Sequence, residues 1–135
     1  MTKIFLDSDI LLDVTLKRPD FLVPALNIIN LIQKGQVKAT TSSVVFVNVH
    51  YFLDKFDKTN KFTLLKQIRS ILSIVNVNEA IIDDALNSGI NDFEDAVQYY
   101  TAKSANADFI ITRNIKDYKE STIPVLTAEQ FLRTL

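Results

Sequence analysis

The chain has 135 residues, of which 47% are hydrophobic and 23% are charged, as in an ordinary globular protein. Its 16 acidic and 15 basic residues leave a formal net charge of −1, which excludes a globally basic chain as the basis of nucleic-acid binding. The absence of cysteine and the single histidine exclude a disulfide framework, a thiol nucleophile and a metal site built from Cys or several His residues.

In the first half of the chain, short apolar runs alternate with segments of helical periodicity. Apolar residues every three or four positions predict helices, and short apolar runs that stop at polar residues predict buried strands. The sequence predicts, in chain order, a strand from Lys3 to Leu6, helices over Asp9 to Leu16 and Phe21 to Ile32, a strand from Val37 to Thr41, a helix capped by Ser42 or Ser43 that runs through Phe56, and a helix capped by Thr59 or Asn60 that runs through Leu72.

The second half repeats this alternation. The sequence predicts a strand from Ile74 to Val77, a helix capped by Asn78 and ended at Gly89, a helix that starts at Asn91 or Asp92, strands from Phe109 to Thr112 and from Ile123 to Leu126, and a last helix capped by Thr127. Strands that alternate with helices predict a three-layer α/β/α sandwich with a central, mostly parallel five-stranded sheet. The length predicts a single domain over residues 1–135.

No segment has the pattern of a signal peptide or a membrane span. Two acids, Asp7 and Asp9, interrupt the N-terminal region where a signal peptide needs an apolar stretch. The segment from Phe21 to Ile32 is too short to cross a bilayer and is broken by polar residues. We therefore expect a soluble cytoplasmic protein with no membrane partner.

Four aspartates fall where a parallel sheet binds its ligands, beyond the carboxyl ends of the strands at the point where strand order reverses. Asp7 directly follows the first strand, and Asp117 lies shortly after the strand that ends at Thr112. Asp92 and Asp95 open the helix that leads to this strand, and their spacing puts them on one helix face. Helix capping alone would also explain Asp92. The prediction of a ligand site therefore depends on the joint placement of the four aspartates at one edge of the sheet.

Crowded carboxylates repel one another unless a cation neutralises them. Oxygen ligands select Mg²⁺ or Mn²⁺ over zinc, in agreement with the lack of Cys and His. Such a metal lowers the pKa of bound water and offsets the charge of a phosphoryl group. The natural reaction class is metal-assisted hydrolysis of a phosphodiester.

Three segments resemble those of PIN-domain nucleases, in the same order along the chain. The opening Ile4-Phe5-Leu6-Asp7-Ser8-Asp9 resembles a hydrophobic run followed by Asp-Thr/Ser-Asn. Asp92-Phe93-Glu94-Asp95-Ala96 resembles the central Asp-Ala element. Thr112-Arg113-Asn114-Ile115-Lys116-Asp117-Tyr118 resembles the Thr-Arg-Asn-x-x-Asp-Phe segment. The resemblance covers nearly the whole chain.

The resemblance implies a metal-dependent ribonuclease, often the VapC-type toxin of a toxin–antitoxin pair. On this template Asp7, Asp95 and Asp117 are catalytic, metal-binding acids. Asn114 stands where many relatives carry a fourth acid, and Asp92 is an additional candidate ligand. The implied cofactor is Mg²⁺ or Mn²⁺, and the implied partners are RNA, an antitoxin protein and a second copy of the chain. The supporting residues are Ser8, Asp9, Asn48 and Thr112, and the candidate RNA contacts are Arg113 and Lys116.

Two departures from the family pattern keep other functions open. Many relatives carry a metal-orienting Glu where this chain has the uncharged Asn48, and Asp9 replaces an Asn. A degenerate PIN module that binds RNA or a protein without cutting is therefore one alternative. A haloacid-dehalogenase-like phosphatase is another, with Asp7 as nucleophile and Asp9 as acid–base, although the Gly-Thr expected after Asp9 is replaced by Ile10-Leu11. The lone His50 fits packing better than catalysis.

The near-neutral net charge conceals a segregation of charge along the chain. Residues 76–100 contain six acids and no Lys or Arg, namely Glu79, Asp83, Asp84, Asp92, Glu94 and Asp95. Residues 55–69 contain five bases against one acid, namely Lys55, Lys58, Lys61, Lys66 and Arg69 against Asp57. A basic helix near a metal-loaded pocket can attract RNA locally despite the total charge.

Overall fold

The structure is a computed structural model that describes residues 1–135. Its five strands are β1 (Lys3–Leu6), β2 (Lys38–Ser42), β3 (Ser73–Val75), β4 (Phe109–Ile111) and β5 (Val125–Leu126). Its helices are α1 (Ser8–Thr15), α2 (Leu22–Gln33), α3 (Ser43–Phe56), α4 (Lys61–Ile71), α5 (Glu79–Leu86), α6 (Phe93–Ser104) and α7 (Ala128–Leu132), with a 3₁₀ turn at Ile115–Tyr118.

All strands are parallel and lie in the order β3-β2-β1-β4-β5. The chain builds outward from β1 to β3, and then crosses back to add β4 on the opposite side of β1. In register, Phe5 pairs with Thr40 of β2 and with Ile110 of β4. The strand order therefore reverses between β1 and β4, which places the ligand-binding crevice of such sheets at their carboxyl ends.

The central strand β1 is buried on both faces, as a covered parallel sheet requires. Ile4, Phe5 and Leu6 have no exposed surface, and Phe131 of α7 is equally buried. A smaller apolar cluster joins α5 to α6 and contains Ile81, Ala85, Ala96 and Val97. Helices on both sides of the sheet confirm the expected three-layer architecture, and the sheet is wholly rather than mostly parallel. None of the helices combines the length and apolar character needed to cross a membrane.

The element boundaries differ from the sequence prediction at a few polar positions. Strand β5 starts only at Val125, because the preceding turn is held by Ser121, whose hydroxyl donates to the carbonyl of Ile123. Gly89 was predicted to end α5, but this helix ends at Leu86 with Asn87 as its C-cap. Gly89 instead takes a left-handed φ of 76° in the following turn. The 3₁₀ turn was not predicted.

Candidate metal centre

The first aspartate of the site lies at the carboxyl end of β1. Asp7 is the N-cap of α1, and its Oδ1 accepts the backbone N–H of Ser8 at 2.8 Å. Its Oδ2 lies 3.0 Å from the hydroxyl oxygens of both Thr112 and Tyr118, which donate to it. These three donors fix the carboxylate. Burial raises the pKa of Asp7 above its usual range, and the charge of Asp117 adds to this effect.

Two further aspartates open α6. Asp92 is the N-cap, and its Oδ1 accepts the backbone N–H of Asp95 at 3.0 Å, so the predicted cap is confirmed. One turn later on α6, Gln98 accepts a hydrogen bond from Ser42 at the end of β2, which ties this helix to the sheet. Shielding from solvent raises the pKa of Asp95 to about 7, with added contributions from Asp92, Asp117, Asp7 and Glu94.

The fourth aspartate is carried by the 3₁₀ turn that follows β4. The backbone N–H of Asp117 donates to the carbonyl of Asn114, and its side chain is exposed. A cleft of about 260 Å³ is lined by Asp92, Asp95 and Asp117 together with Lys116, one of the two predicted RNA contacts. We call Asp7, Asp92, Asp95 and Asp117 the acidic site.

Asp9 is not part of the acidic site. It is 9% exposed, and its Oδ2 accepts the backbone N–H of Arg113 at 2.8 Å. The Thr112 hydroxyl and the Asn114 amide also lie within 3.4 Å of this oxygen. Burial raises the pKa of Asp9 to about 6, and the nearby Asp7 charge contributes. Asp9 therefore holds the loop after β4 through Oδ2, and its unpartnered Oδ1 is buried away from any substrate, which argues against the phosphatase interpretation.

Arg113, a predicted RNA contact, has its guanidinium engaged within the fold. Its Nε and Nη2 each lie 3.0 Å from a carboxylate oxygen of Asp13, whose side chain is only 1% exposed. Arg18 reaches the same carboxylate at 3.4 Å. The guanidinium also stacks on Phe21, with its carbon 3.9 Å from the ring centre. This geometry favours a structural role for Arg113.

The remaining predicted residues border the site or lie apart from it. The amide nitrogen of Asn48 on α3 lies 2.7 Å from Oε1 of Glu94 on α6. Ser8 contributes its backbone N–H to Asp7. His50 stacks on Phe62 at a ring distance of 5.7 Å, which is the packing role expected for it.

Three residues in or beside the site were missed by sequence reasoning. Tyr118 stands where the family pattern has Phe, and the extra hydroxyl was the available signal for its bond to Asp7. Asp13 and Glu94 carried no such signal, because helix acids of this kind are usually solvated. Their partners, Arg113 and Asn48, lie 100 and 46 residues away in the chain.

The donor set of the acidic site suits a hard divalent cation. All of its side-chain donors are carboxylate oxygens, and none of the four aspartates forms an ion pair. The ion pairs of the chain are Asp13 with Arg18 and Arg113, Asp54 with Lys61, and Glu129 with Arg133. No three His, Asp or Glu side chains converge closely enough to hold an ion as they stand. Mg²⁺ commonly keeps several waters and uses one or two carboxylates, so the open arrangement fits this ion.

The fold and the site together define an α/β protein with a carboxylate-rich crevice at the switch point of a parallel sheet. The family model described as PIN domain matches residues 3–116. The chain belongs to the PIN domain family.

Several known proteins are similar to this chain over most of its length and of their own. Ribonuclease VapC1 of Aquifex aeolicus is 28% identical over 96% of this chain and 92% of its own. The toxin–antitoxin complex from Klebsiella pneumoniae superposes with a TM-score of 0.70 at 22% identity, over 93% of this chain and 97% of the other. VapBC2 from Rickettsia felis, bound to a DNA fragment from its promoter, gives a TM-score of 0.69 at 22% identity and the same coverage. These two structures support the fold.

Proposed function

We propose that this protein is a metal-dependent endoribonuclease that hydrolyses RNA phosphodiester bonds, and that it acts as the toxin of a toxin–antitoxin pair. The observation that carries the proposal is that Asp7, Asp95 and Asp117 lie near enough for their charges to act on one another, none of them in an ion pair, at the switch point of a PIN-domain fold. The similarity to a ribonuclease over nearly the whole of both chains supports the same activity.

The proposed ligands of Mg²⁺ or Mn²⁺ are Asp7, Asp95 and Asp117, with Asn114 and Asp92 as additional oxygen donors. A bound divalent ion would supply acidity to a water and offset charge on the phosphoryl group. The chain's own residues orient these ligands: Thr112 and Tyr118 hold Asp7 by their hydroxyls, and the N-terminal turn of α6 holds Asp95. Lys116, exposed in the wall of the cleft, is suited to contact a phosphate of the RNA.

A protein partner and a homodimer are part of the proposal. Several large apolar side chains on α2 and α3 are exposed, among them Val23 and Val47 at 66% each. Exposed apolar surface of this kind marks contact sites for other chains. The structural neighbour from Klebsiella pneumoniae is itself a toxin–antitoxin complex. Light scattering with and without a co-expressed antitoxin would measure both assemblies, and a monomer that binds no such protein would contradict this part.

Cleavage of a labelled RNA with Mg²⁺ or Mn²⁺, and with a chelator, tests the activity. We expect Asp7→Asn to abolish cleavage and leave the circular dichroism spectrum unchanged, since the side chains are of similar size. Asp83→Asn, at an exposed position of α5, is the matched control and should cleave like the unaltered protein. Equal cleavage by the Asp7 variant would refute this site. A protein that binds the metal and RNA without cutting would favour the degenerate module.

A further inference from the structure

Aromatic side chains are exposed around the short turn that joins α3 to α4. Phe56, the last residue of α3, is 61% exposed, and Phe62, in the first turn of α4, is 59% exposed. The ring of His50 on α3 lies 5.7 Å from the ring of Phe62, at an interplanar angle of 24°. This stacking between the two helices supports Phe62 while most of its ring remains in solvent. We call residues 50–66 the hairpin tip.

Lysines accompany the exposed rings of the hairpin tip. The amine of Lys55 lies 5.7 Å from the centre of the Phe56 ring, and the amine of Lys61 lies 4.9 Å from that of Phe62. Lys61 also pairs with Asp54. The other lysines of the tip form no ion pair, namely Lys55, Lys58 and Lys66. The tip holds four lysines against two acids, so it is a locally basic surface on a chain that is close to neutral.

The hairpin tip extends from the neighbourhood of the acidic site. Helix α3 follows the carboxyl end of β2, and the amide of Asn48 on α3 contacts Glu94 in the first turn of α6 at 2.7 Å. From Asn48 to Phe56 the helix rises about 12 Å, at about 1.5 Å per residue. The exposed rings of Tyr51 and Phe52 lie on the turn between them. A strand that occupies the acidic site therefore has the tip within reach.

Rings beside lysines suit a single-stranded nucleic acid. Aromatic faces stack on unpaired bases, and ammonium groups attract the phosphates. The bases of a duplex are already stacked and paired, so they do not offer free faces to a protein ring. Lysine is depleted at interfaces between proteins. Helix α2, whose exposed apolar side chains we assign to protein contacts, differs from the tip because it has no charged residue.

We propose that the hairpin tip is a binding surface for single-stranded RNA. Phe56 and Phe62 stack on unpaired bases. The lysines without ion pairs contact phosphates, namely Lys55, Lys58 and Lys66. This inference rests on the proposed function, which supplies RNA as the ligand. It explains how a chain of net charge −1 holds a polyanion beside a group of carboxylates.

Fluorescence anisotropy of a labelled single-stranded RNA of about 12 nucleotides, measured on the full chain with a chelator present, tests the stacking without cleavage. We expect Phe62→Ala to weaken binding about fivefold or more, and Phe62→Tyr, which keeps a ring, to bind within about twofold of the unaltered protein. Leu86→Ala, at an exposed apolar position of α5, is the matched control and should bind like the unaltered protein. Thermal melting checks that each variant retains the fold.

The salt dependence of the affinity tests the lysines separately. Each lysine that neutralises a phosphate of a single strand contributes about 0.7 to the slope of log affinity against log salt concentration. The triple variant Lys55→Gln, Lys58→Gln and Lys66→Gln should therefore reduce the magnitude of this slope by about 2. The matched control makes the same change at exposed lysines near the amino ends of β1 and β2, namely Lys3, Lys34 and Lys38, and should leave the slope unchanged.

The outcomes distinguish this inference from the proposed function. If the Phe62 and lysine variants bind RNA like their controls while Asp7→Asn still abolishes cleavage, the tip is not an RNA surface and the proposed function stands. Equal affinity for a fully paired RNA of the same length would exclude stacking on bases. If the tip variants bind RNA normally but lower the mass found by light scattering, the tip is an interface between copies of the chain. If the unaltered protein neither binds nor cleaves RNA, the proposed function is wrong and this inference falls with it.

Discussion

Replacing Arg113 with Met should destabilise the protein, because it leaves the buried Asp13 carboxylate with one weaker partner. The change removes two charge-assisted hydrogen bonds of 3.0 Å and leaves only Arg18 at 3.4 Å. Removing one partner of a fully buried pair costs about 3–5 kcal/mol. Arg113 is itself 30% exposed and Arg18 remains, so we expect the ion-pair loss to be about 2 kcal/mol. Loss of stacking on Phe21 adds about 0.5 kcal/mol.

Thermal melting in the absence of metal measures this effect. A loss of about 2.5 kcal/mol corresponds to a melting temperature lower by about 7–12 °C for a chain of this size. Arg133→Met is the matched control, because Arg133 pairs with Glu129 at the surface and is 71% exposed. This control should change the free energy of unfolding by less than about 0.5 kcal/mol. If Arg113→Met melts within about 2 °C of the control, the Asp13 pair does not stabilise the fold as argued.

Three further outcomes follow from the acidic site. Tyr118→Phe removes a hydroxyl donor to Asp7 and should lower the free energy of unfolding by about 1 kcal/mol in urea titrations; an unchanged midpoint would contradict it. Metal-free protein should melt at a higher temperature near about pH 6 than near about pH 8. The pKa of Asp95 is raised to about 7 in the folded state, so at about pH 6 the folded protein binds a proton that the unfolded chain has already released. Asp95→Asn should weaken this dependence, and an unchanged slope would exclude Asp95 as its source. Mn²⁺ should raise the melting temperature, a chelator should reverse the rise, and Asp7→Asn should show neither effect.

The strands could be located from the sequence because burial on both faces leaves uninterrupted apolar runs. Lys3 to Leu6 was predicted with the bounds that β1 has in the structure, and β4 differs from its prediction only at Thr112. The hydroxyl of Thr112 donates hydrogen bonds to Asp7 and Asp9, and the strand ends just before this residue. The acids share one crevice only if β1 and β4 are neighbours, a condition that the sequence left open and that the strand order meets.

The placement of the four aspartates near the carboxyl ends of β1 and β4 could be predicted, because positions relative to strand ends are encoded locally. Their supporting contacts could not, since a hydrogen bond between distant residues leaves no local pattern. The engagement of Arg113 by Asp13 is an example: Arg113 follows a strand, as a phosphate ligand would, and only the folded structure reveals its buried partner. The Asn48–Glu94 contact escaped prediction for the same reason.

The crossover that places β4 beside β1 also determines when the site can exist during synthesis. Asp7 emerges early, but its hydroxyl partners come 105 and 111 residues later, and Asp117 is translated between them. A ribosome-bound nascent chain that has reached only α5 holds the first acid and none of the others. The acidic site is therefore incomplete through most of the chain's translation, and the four acids can assemble only after the segment that follows β4 has left the exit tunnel.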